Sequence, residues 1–391
     1  MSRSKKNMFF ILPSIILALL VLFSSISSNL GILYANDIDI IANAFYLFDA
    51  NSSTELVEKD SNKHFEVASM VKLMTSLLTI EKIEKNEWDL EKLLPVSQYA
   101  ASMEGSQAFL DAGKSYKIDD LLKSVIVASA NDSSVVLAEN YAGTENNFVD
   151  IMNTRAKELG MEQTLYANST GLPSATNQYS TAHDIAILLK EVSMHDLYKT
   201  YSKIWMDKLV HHDGRETELV NTNRLIKYYP GCVCGKTGFT DEAGYCLSVV
   251  AEKNGMQLIS VVMGAKSSSD RFTYSANLLN YGFSNFKSEK LVDKEQMIDT
   301  NLKLKGCKNS IFCQPKDDLF VVQKQGSNNE YQIEKEYNKL PKNVQKGDVL
   351  GIVKVSKNGE IICQTELLSA ENYKTATYLD SLENIINNWS M

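Results

Sequence analysis

In the segment Val67-Ala68-Ser69-Met70-Val71-Lys72 an amine follows a hydroxyl by three residues, on a stretch otherwise fit for a hydrophobic core. Residues i and i+3 share a helix face, so the two groups can meet. An unassisted serine hydroxyl is a weak nucleophile. A neighbouring amine takes its proton when burial or a second cation lowers the amine's pKa. Ser69 also falls near the expected helix start, where the positive end of the dipole favours developing negative charge. The pattern SxxK is loose by itself, and it recurs at Ser2–Lys5 and Ser284–Lys287.

Two further strings come later in the chain. Ser129-Ala130-Asn131 follows a helical run; SxN is weaker still, recurring at Ser27, Ser275, Ser327 and Ser356. Lys236-Thr237-Gly238 occurs once and enters a strand. A phosphate loop is excluded there, because Pro230 stands where that loop needs glycine and the next residues read as strand, not helix. The five histidines form no HxxxH, and His211-His212 reads as a solvated loop. No metal or cofactor is expected. Asp184 is assigned a structural role first.

The elements that must hold these strings follow from periodicity. Residues 44–50 and 54–60 read as a hairpin turning at Asn51-Ser52-Ser53. A helix is predicted from Ser69 to Lys85, with Val71, Met74, Leu77, Leu78 and Ile83 on its buried face. A mostly helical region runs to about 200: 118–129 forms one helix, Asp132 caps the next, and 147–160 ends on glycine. From about 231 strands return around the turn Lys253-Asn254-Gly255, and a helix follows over 270–283. The order is hairpin, helical block, returning strands, helix. That predicts an α+β domain, its antiparallel sheet joining chain segments far apart in sequence. Beyond 286, segments such as TNLKLKG, DLFVVQK, YQIEKEY and EIICQTEL predict a small β-sandwich.

The order SxxK on a helix, SxN between helices and KTG on a strand is that of serine β-lactamases and penicillin-binding proteins. The chain resembles the low-molecular-mass penicillin-binding proteins that act as D-alanyl-D-alanine carboxypeptidases. ASMVKLMT, SANDSSVVLAE, FVDIMNTRAKELGM, NSTGLP, YSTAHDIAILLK, KTGFTDEAGYCL and MQLISVVMGA all look like that family, over roughly 40 to 285. The resemblance implies a transpeptidase-like catalytic domain over 36–285 and a β-rich accessory domain over 286–368. It implies Ser69 as nucleophile and Lys72 as general base. Ser129 would relay a proton to the leaving D-alanine, and Asn131 would orient Lys72 and the substrate's peptide group. Lys236 would supply positive charge. Thr237 and Arg271 would hold the terminal carboxylate, and the N–H groups of Ser69 and Phe239, beside Gly238, would form the oxyanion hole. Peptidoglycan stem peptides are the implied substrates and β-lactams the implied covalent inhibitors.

Bulk properties fit an exported enzyme. The chain has 391 residues, 44% hydrophobic and 23% charged, with net charge −8, which disfavours nucleic acid as a partner. Arg3, Lys5 and Lys6 precede an apolar run from Met8 to Ile26, then small residues, so 1–35 reads as a signal peptide cut after Ala35. An uncleaved anchor is the other reading. Either places the body at the outer face of the cytoplasmic membrane or in the wall. Of six cysteines, Cys307 and Cys313 suit a small loop, while Cys232-Val-Cys234 is no redox motif. Structural or free thiols are expected. Over 369–391, Leu379, Leu382, Ile385, Ile386 and Trp389 share a helical face, read either as a membrane-surface helix or as an ordinary packed one.

Three alternatives stand beside the main reading. A β-lactamase would need a deacylating glutamate; no E-x-x-x-N occurs between 155 and 180, although Glu158 and Glu162 lie there. A D,D-endopeptidase would use the same machinery. A wall-binding protein without activity would keep the fold alone.

Overall fold

The computed structural model describes residues 38–305 and 309–375. Strands β1 (Ala44–Asp49) and β2 (Thr54–Lys59) pair antiparallel around the expected turn. Ala44, Tyr46 and Phe48 of β1 enter one core, while Phe45 and Leu47 enter another. That period of two is what a strand covered on both faces requires. Helices α1 (Lys72–Glu84), α2 (Ile118–Val127), α3 (Asn131–Ala142), α4 (Glu145–Glu158) and α5 (Ala182–Val192) follow. Then come a hairpin of β3 (Met206–Val210) and β4 (Glu216–Val220), three long strands β5 (Cys232–Thr240), β6 (Gly244–Lys253) and β7 (Met256–Ala265), and α6 (Ser268–Asn285).

The main sheet has the order β2-β1-β7-β6-β5, so the first hairpin joins strands some 200 residues later, as the element order predicts. Against one face pack Leu73, Leu77 and Ile80 of α1 with Ile185 and Leu189 of α5. Against the other pack Leu278 and Leu279 of α6. A third core joins α2 and α3 to Leu209 and Leu219 of the β3–β4 hairpin. Helix α1 is buried all round from Lys72 to Ile80, so it is central to the domain and not a half-exposed amphipathic helix.

The second, β-rich unit contains β8 (Phe286–Val292), β9 (Ile298–Asp299), β10 (Phe312–Pro315), β11 (Leu319–Lys324), β12 (Gln332–Tyr337), β13 (Val349–Lys357) and β14 (Glu360–Ser369). A five-stranded sheet, β9-β10-β14-β13-β12, and the β8–β11 ladder share a core of Val292, Val321, Val353, Val355 and Leu367. Both Lys-Asn-Gly turns behave as type I′ corners: φ is 51° and 76° at Asn254-Gly255, and 53° and 83° at Asn358-Gly359.

Several local expectations are corrected. Asp132 does not cap α3; the cap position is Ala130, and the Asp132 carboxylate instead accepts from the N–H groups of Ala108 and Leu110. His211 is buried rather than solvated, between the Tyr116 hydroxyl and Thr217 Oγ1. It follows β3 of the unexpected β3–β4 hairpin, whose Asp213-Gly214 turn was a readable signal. Leu302–Leu304 of TNLKLKG is irregular, since Thr300 and Leu302 bond Ile311 outside any ladder. Residues 369–375 are not helical: Ser369 ends β14, and Tyr373–Lys374 pairs with Asn343–Val344. The remainder of the C-terminal stretch, the signal peptide and Cys307 lie outside the described residues. Cys232, Cys234, Cys246, Cys313 and Cys363 are free thiols. Asp184 accepts from Gln163 N–H and Thr164 Oγ1 at 2.9 and 2.7 Å, a structural use. Among the described residues no helix is long and apolar enough to cross a membrane.

Candidate active site

Three chain segments meet at one place. The first is a 3₁₀ turn, Ala68–Val71, leading directly into α1. The helix expected from Ser69 therefore begins at Lys72, and the serine sits in the tighter turn. Ala68 has a φ of 46°, which a residue with a Cβ adopts only under constraint. The constraint is close packing. A Cβ on Gly171 would fall 1.8 Å from the Ala68 carbonyl oxygen, and one on Gly238 would fall 2.8 Å from that of Val67. The glycines of Asn168-Ser169-Thr170-Gly171 and of Lys236-Thr237-Gly238 are thus required because the turn bearing Ser69 is wedged against both.

Lys72 Nζ lies 2.9 Å from Ser69 Oγ and donates to the Thr170 carbonyl at 2.6 Å. The lysine is completely buried. Burial first, and the charge of Lys236 second, hold its pKa well below the usual lysine range, with Asp132 opposing.

The second segment is the α2–α3 junction. Ser129 has a φ of 64°, a left-handed residue between two helices. Its hydroxyl accepts from Lys236 Nζ at 2.8 Å. Lys236 also donates to the Thr237 carbonyl at 2.9 Å. Burial, and then Arg271, lower the Lys236 pKa to about 7.

The third segment is β5, the edge strand of the sheet. Along an edge, alternate N–H and C=O groups lack a ladder partner and can receive an extended peptide. Thr237 Oγ1 donates to Thr222 Oγ1 at 2.7 Å. Phe239 is half exposed and stacks on Tyr245, with ring centroids 4.2 Å apart. Arg271 on α6 donates to the Gly238 carbonyl at 3.0 Å and stands over the Phe272 ring. It braces the β5 backbone and adds positive charge beside Lys236.

Asn131 departs from its expected contact. Its amide nitrogen donates to the Glu104 carbonyl at 2.6 Å and not toward Lys72. Its Oδ1 is buried and has no partner among the described residues, which leaves one acceptor of the side chain unsatisfied.

Sequence reasoning did not find Thr170 or Thr222, which act through a carbonyl and a hydroxyl that residue type does not mark. The turn holding Thr170 had a signal: Asn168 Oδ1 accepts from the N–H groups of Thr170 and Gly171 at 3.1 and 2.7 Å, an Asx-type turn. Together the groups form two hydrogen-bonded serine–lysine pairs, both lysines biased toward the neutral amine, beside an open strand edge. That set is competent for acyl transfer through serine.

Comparison with known proteins identifies the family. The profile of the family Peptidase S11, D-alanyl-D-alanine carboxypeptidase, matches residues 33–267. That of the C-terminal domain of penicillin-binding protein 5 matches 286–375. The chain is 34% identical to D-alanyl-D-alanine carboxypeptidase DacF of Bacillus subtilis, over 89% of this chain and 90% of the relative. It is 32% identical to D-alanyl-D-alanine carboxypeptidase DacA of Haemophilus influenzae, over 84% of each. The crystal structure of penicillin binding protein 5 from Haemophilus influenzae superposes with a TM-score of 0.72 at 28% identity, covering 86% of this chain and 98% of that one. The chain belongs to the D-alanyl-D-alanine carboxypeptidase family of serine peptidases, with a transpeptidase-like α+β domain and a β-rich C-terminal domain.

Proposed function

We propose that this protein removes the terminal D-alanine from peptidoglycan stem peptides at the outer face of the cytoplasmic membrane, through an acyl-enzyme on Ser69. The observation that carries the reading is the 2.9 Å contact between Ser69 Oγ and a fully buried Lys72 whose pKa is depressed. With the amine neutral, the serine O–H donates to it along that contact. The oxygen attacks the carbonyl carbon of the penultimate D-alanine, and its proton passes to Lys72 Nζ. The resulting oxyanion faces the N–H groups of Ser69 and Phe239; losing one such donor costs about 3 kcal/mol in activation free energy. As the C–N bond breaks, the proton on Lys72 reaches the leaving amine through Ser129, which Lys236 holds. Water then attacks the ester, Lys72 again taking the proton, and Ser69 is released as the free alcohol.

The remaining residues bind substrate. The peptide extends along β5, and Asn131 orients its amide group. Thr237 Oγ1 and the charges of Lys236 and Arg271 receive the terminal carboxylate. Residues 1–35 direct export, 36–285 form the catalytic domain, and 286–368 form the accessory domain. The C-terminal stretch of the chain contacts the membrane surface. β-Lactams acylate Ser69 in place of substrate.

The test is D-alanine release from diacetyl-Lys-D-Ala-D-Ala, with Ser69→Ala as control. Absence of release, or release that survives the substitution, defeats the proposal. Rapid hydrolysis of a fluorescent penicillin would favour a β-lactamase instead.

A further inference from the structure

The loop Glu104–Asp111 is gripped from two sides. On one side it lies on the start of α3. The Glu104 and Ser106 carbonyls accept from Asn131 Nδ2 and from Asn131 N–H, at 2.6 and 2.7 Å. Two residues on, the N–H groups of Ala108 and Leu110 donate to the buried carboxylate of Asp132 at 2.9 and 3.1 Å. On the other side stands the tip of the β3–β4 hairpin. Arg215 donates twice to the Phe109 carbonyl, at 3.3 and 3.2 Å, and once to Asp111 Oδ1 at 2.8 Å. Asp111 Oδ2 accepts from the Tyr116 hydroxyl at 2.9 Å, and that hydroxyl meets His211 Nδ1 at 2.9 Å.

Two details suggest the grip is needed. Phe109 has a φ of 59°, which a phenylalanine adopts only when something holds it. The loop also packs hard on the Asn131 amide, since a Cβ on Gly105 would lie 3.0 Å from Asn131 Nδ2. The Arg215 side chain is 40% exposed and its hydrogen bonds go to this loop, with Asp213 of its own turn 3.9 Å from Nε.

We propose that Arg215 is a positioning residue: by tying Phe109 and Asp111 to the hairpin it keeps loop 104–111 seated on Asn131, so the Asn131 amide is held in one place beside Ser129 and Lys72. A guanidinium fork suits this, because one planar group reaches a carbonyl and a carboxylate together, whereas an ammonium on a flexible stem does not. The inference rests on the reading of Asn131 given above.

A double-mutant cycle tests it. The second-order acylation constant with a fluorescent penicillin is measured for the full chain, Arg215→Ala, Arg215→Lys, Asn131→Ala and the double variant. Arg215→Ala is expected to slow acylation about tenfold, within the ~10²-fold that a misplacement of about 1 Å can cost. The fraction of protein labelled at saturation and the thermal midpoint stay as in the parent. Arg215→Lys recovers part of the rate. The double variant is no slower than Asn131→Ala. Multiplying effects in the double variant, an unchanged rate in Arg215→Ala, or a loss of labelled fraction in place of rate would each overturn the proposal. A normal rate in Asn131→Ala overturns the reading of Asn131 and this inference with it.

Discussion

Two lysines of the catalytic unit are used in a way opposite to the paired lysines of the β-rich unit. In the catalytic unit, Lys72 and Lys236 are buried, and their nitrogens meet only hydroxyls and backbone carbonyls. In the β-rich unit, Lys316 meets Glu366 at 2.9 Å, Lys354 meets Glu336 at 2.7 Å, and Lys290 meets Asp318 at 3.1 Å, each pair with at least one partner well exposed. Burying an ammonium without a counter-ion costs several kcal/mol unless the group gives up its proton. A fold built for stability alone has no use for such lysines. The difference teaches that the catalytic unit trades stability for two amines able to carry protons near neutral pH.

Substitutions can break that contrast. The largest effect is expected at Ser69 and Lys72: Ser69→Ala or Lys72→Ala lowers D-alanine release on the order of 10⁴-fold or more. Penicillin labelling, read by intact mass, is lost for Ser69→Ala and falls steeply for Lys72→Ala. Lys72→Ala with near-normal labelling would show that the buried amine is structural.

Lys236 comes next. Lys236→Ala is expected to cost about 10²-fold in kcat/KM. The pH dependence sharpens this. A Lys236 pKa of about 7 in the free protein means that kcat/KM for a carboxylate-terminated peptide falls as pH rises through about 7, because the attracting cation is lost. In Lys236→Arg the charge persists and that limb flattens. The stability sign follows from the same depression. Between about 7 and the ordinary lysine value of 10.5 the unfolded chain holds a proton that the native chain has released. Stability contributed by this group therefore rises with pH across that window and is lost as pH falls through about 7. Lys236→Met should make the measured rise shallower, leaving the share of Lys72, as followed by urea unfolding at pH 6.5 to 9.5.

A steric change should be smaller in activity but large in stability. Gly171→Ala places a methyl against a backbone carbonyl at a φ of 81°, and destabilisation of roughly 2–5 kcal/mol is expected. Thr222→Ala removes the partner of the Thr237 hydroxyl; it should raise KM a few-fold, by about 1 kcal/mol, with kcat little changed. The smallest effect lies in the other unit: Lys316→Ala should leave D-alanine release and the thermal midpoint at parent values. A loss of activity there would end the contrast between the units.

Much of the architecture was legible because it is written in periodicity. Strand β1 alternates between two cores, and each Asn-Gly corner declares its turn. The β3–β4 hairpin was hidden because its outward residues, Met206, Val210 and Val220, remain exposed, so the apolar-in, polar-out signature is blurred. Asp132 misled because an acidic residue at a helix start ordinarily caps; here a loop from earlier in the chain claims it. Cys246 gave no chemical signal, and it has none to give: burial pushes its thiol pKa up to about 11.

By itself the sequence determined the Ser69–Lys72 pair, since a separation of three residues brings two side chains together on any helical turn. It also determined that β6 and β7 pair as a hairpin, through the Asn254-Gly255 turn between them. The Ser129–Lys236 pair was decided only by tertiary structure. Those residues are 107 apart in the chain, and nothing local brings them together. They meet because the sheet and the helices share one core, and the same packing strips water from both lysines. Burial is a property of the assembled fold, so the shifted pKa values that make the amines useful could not be read from residue type or spacing.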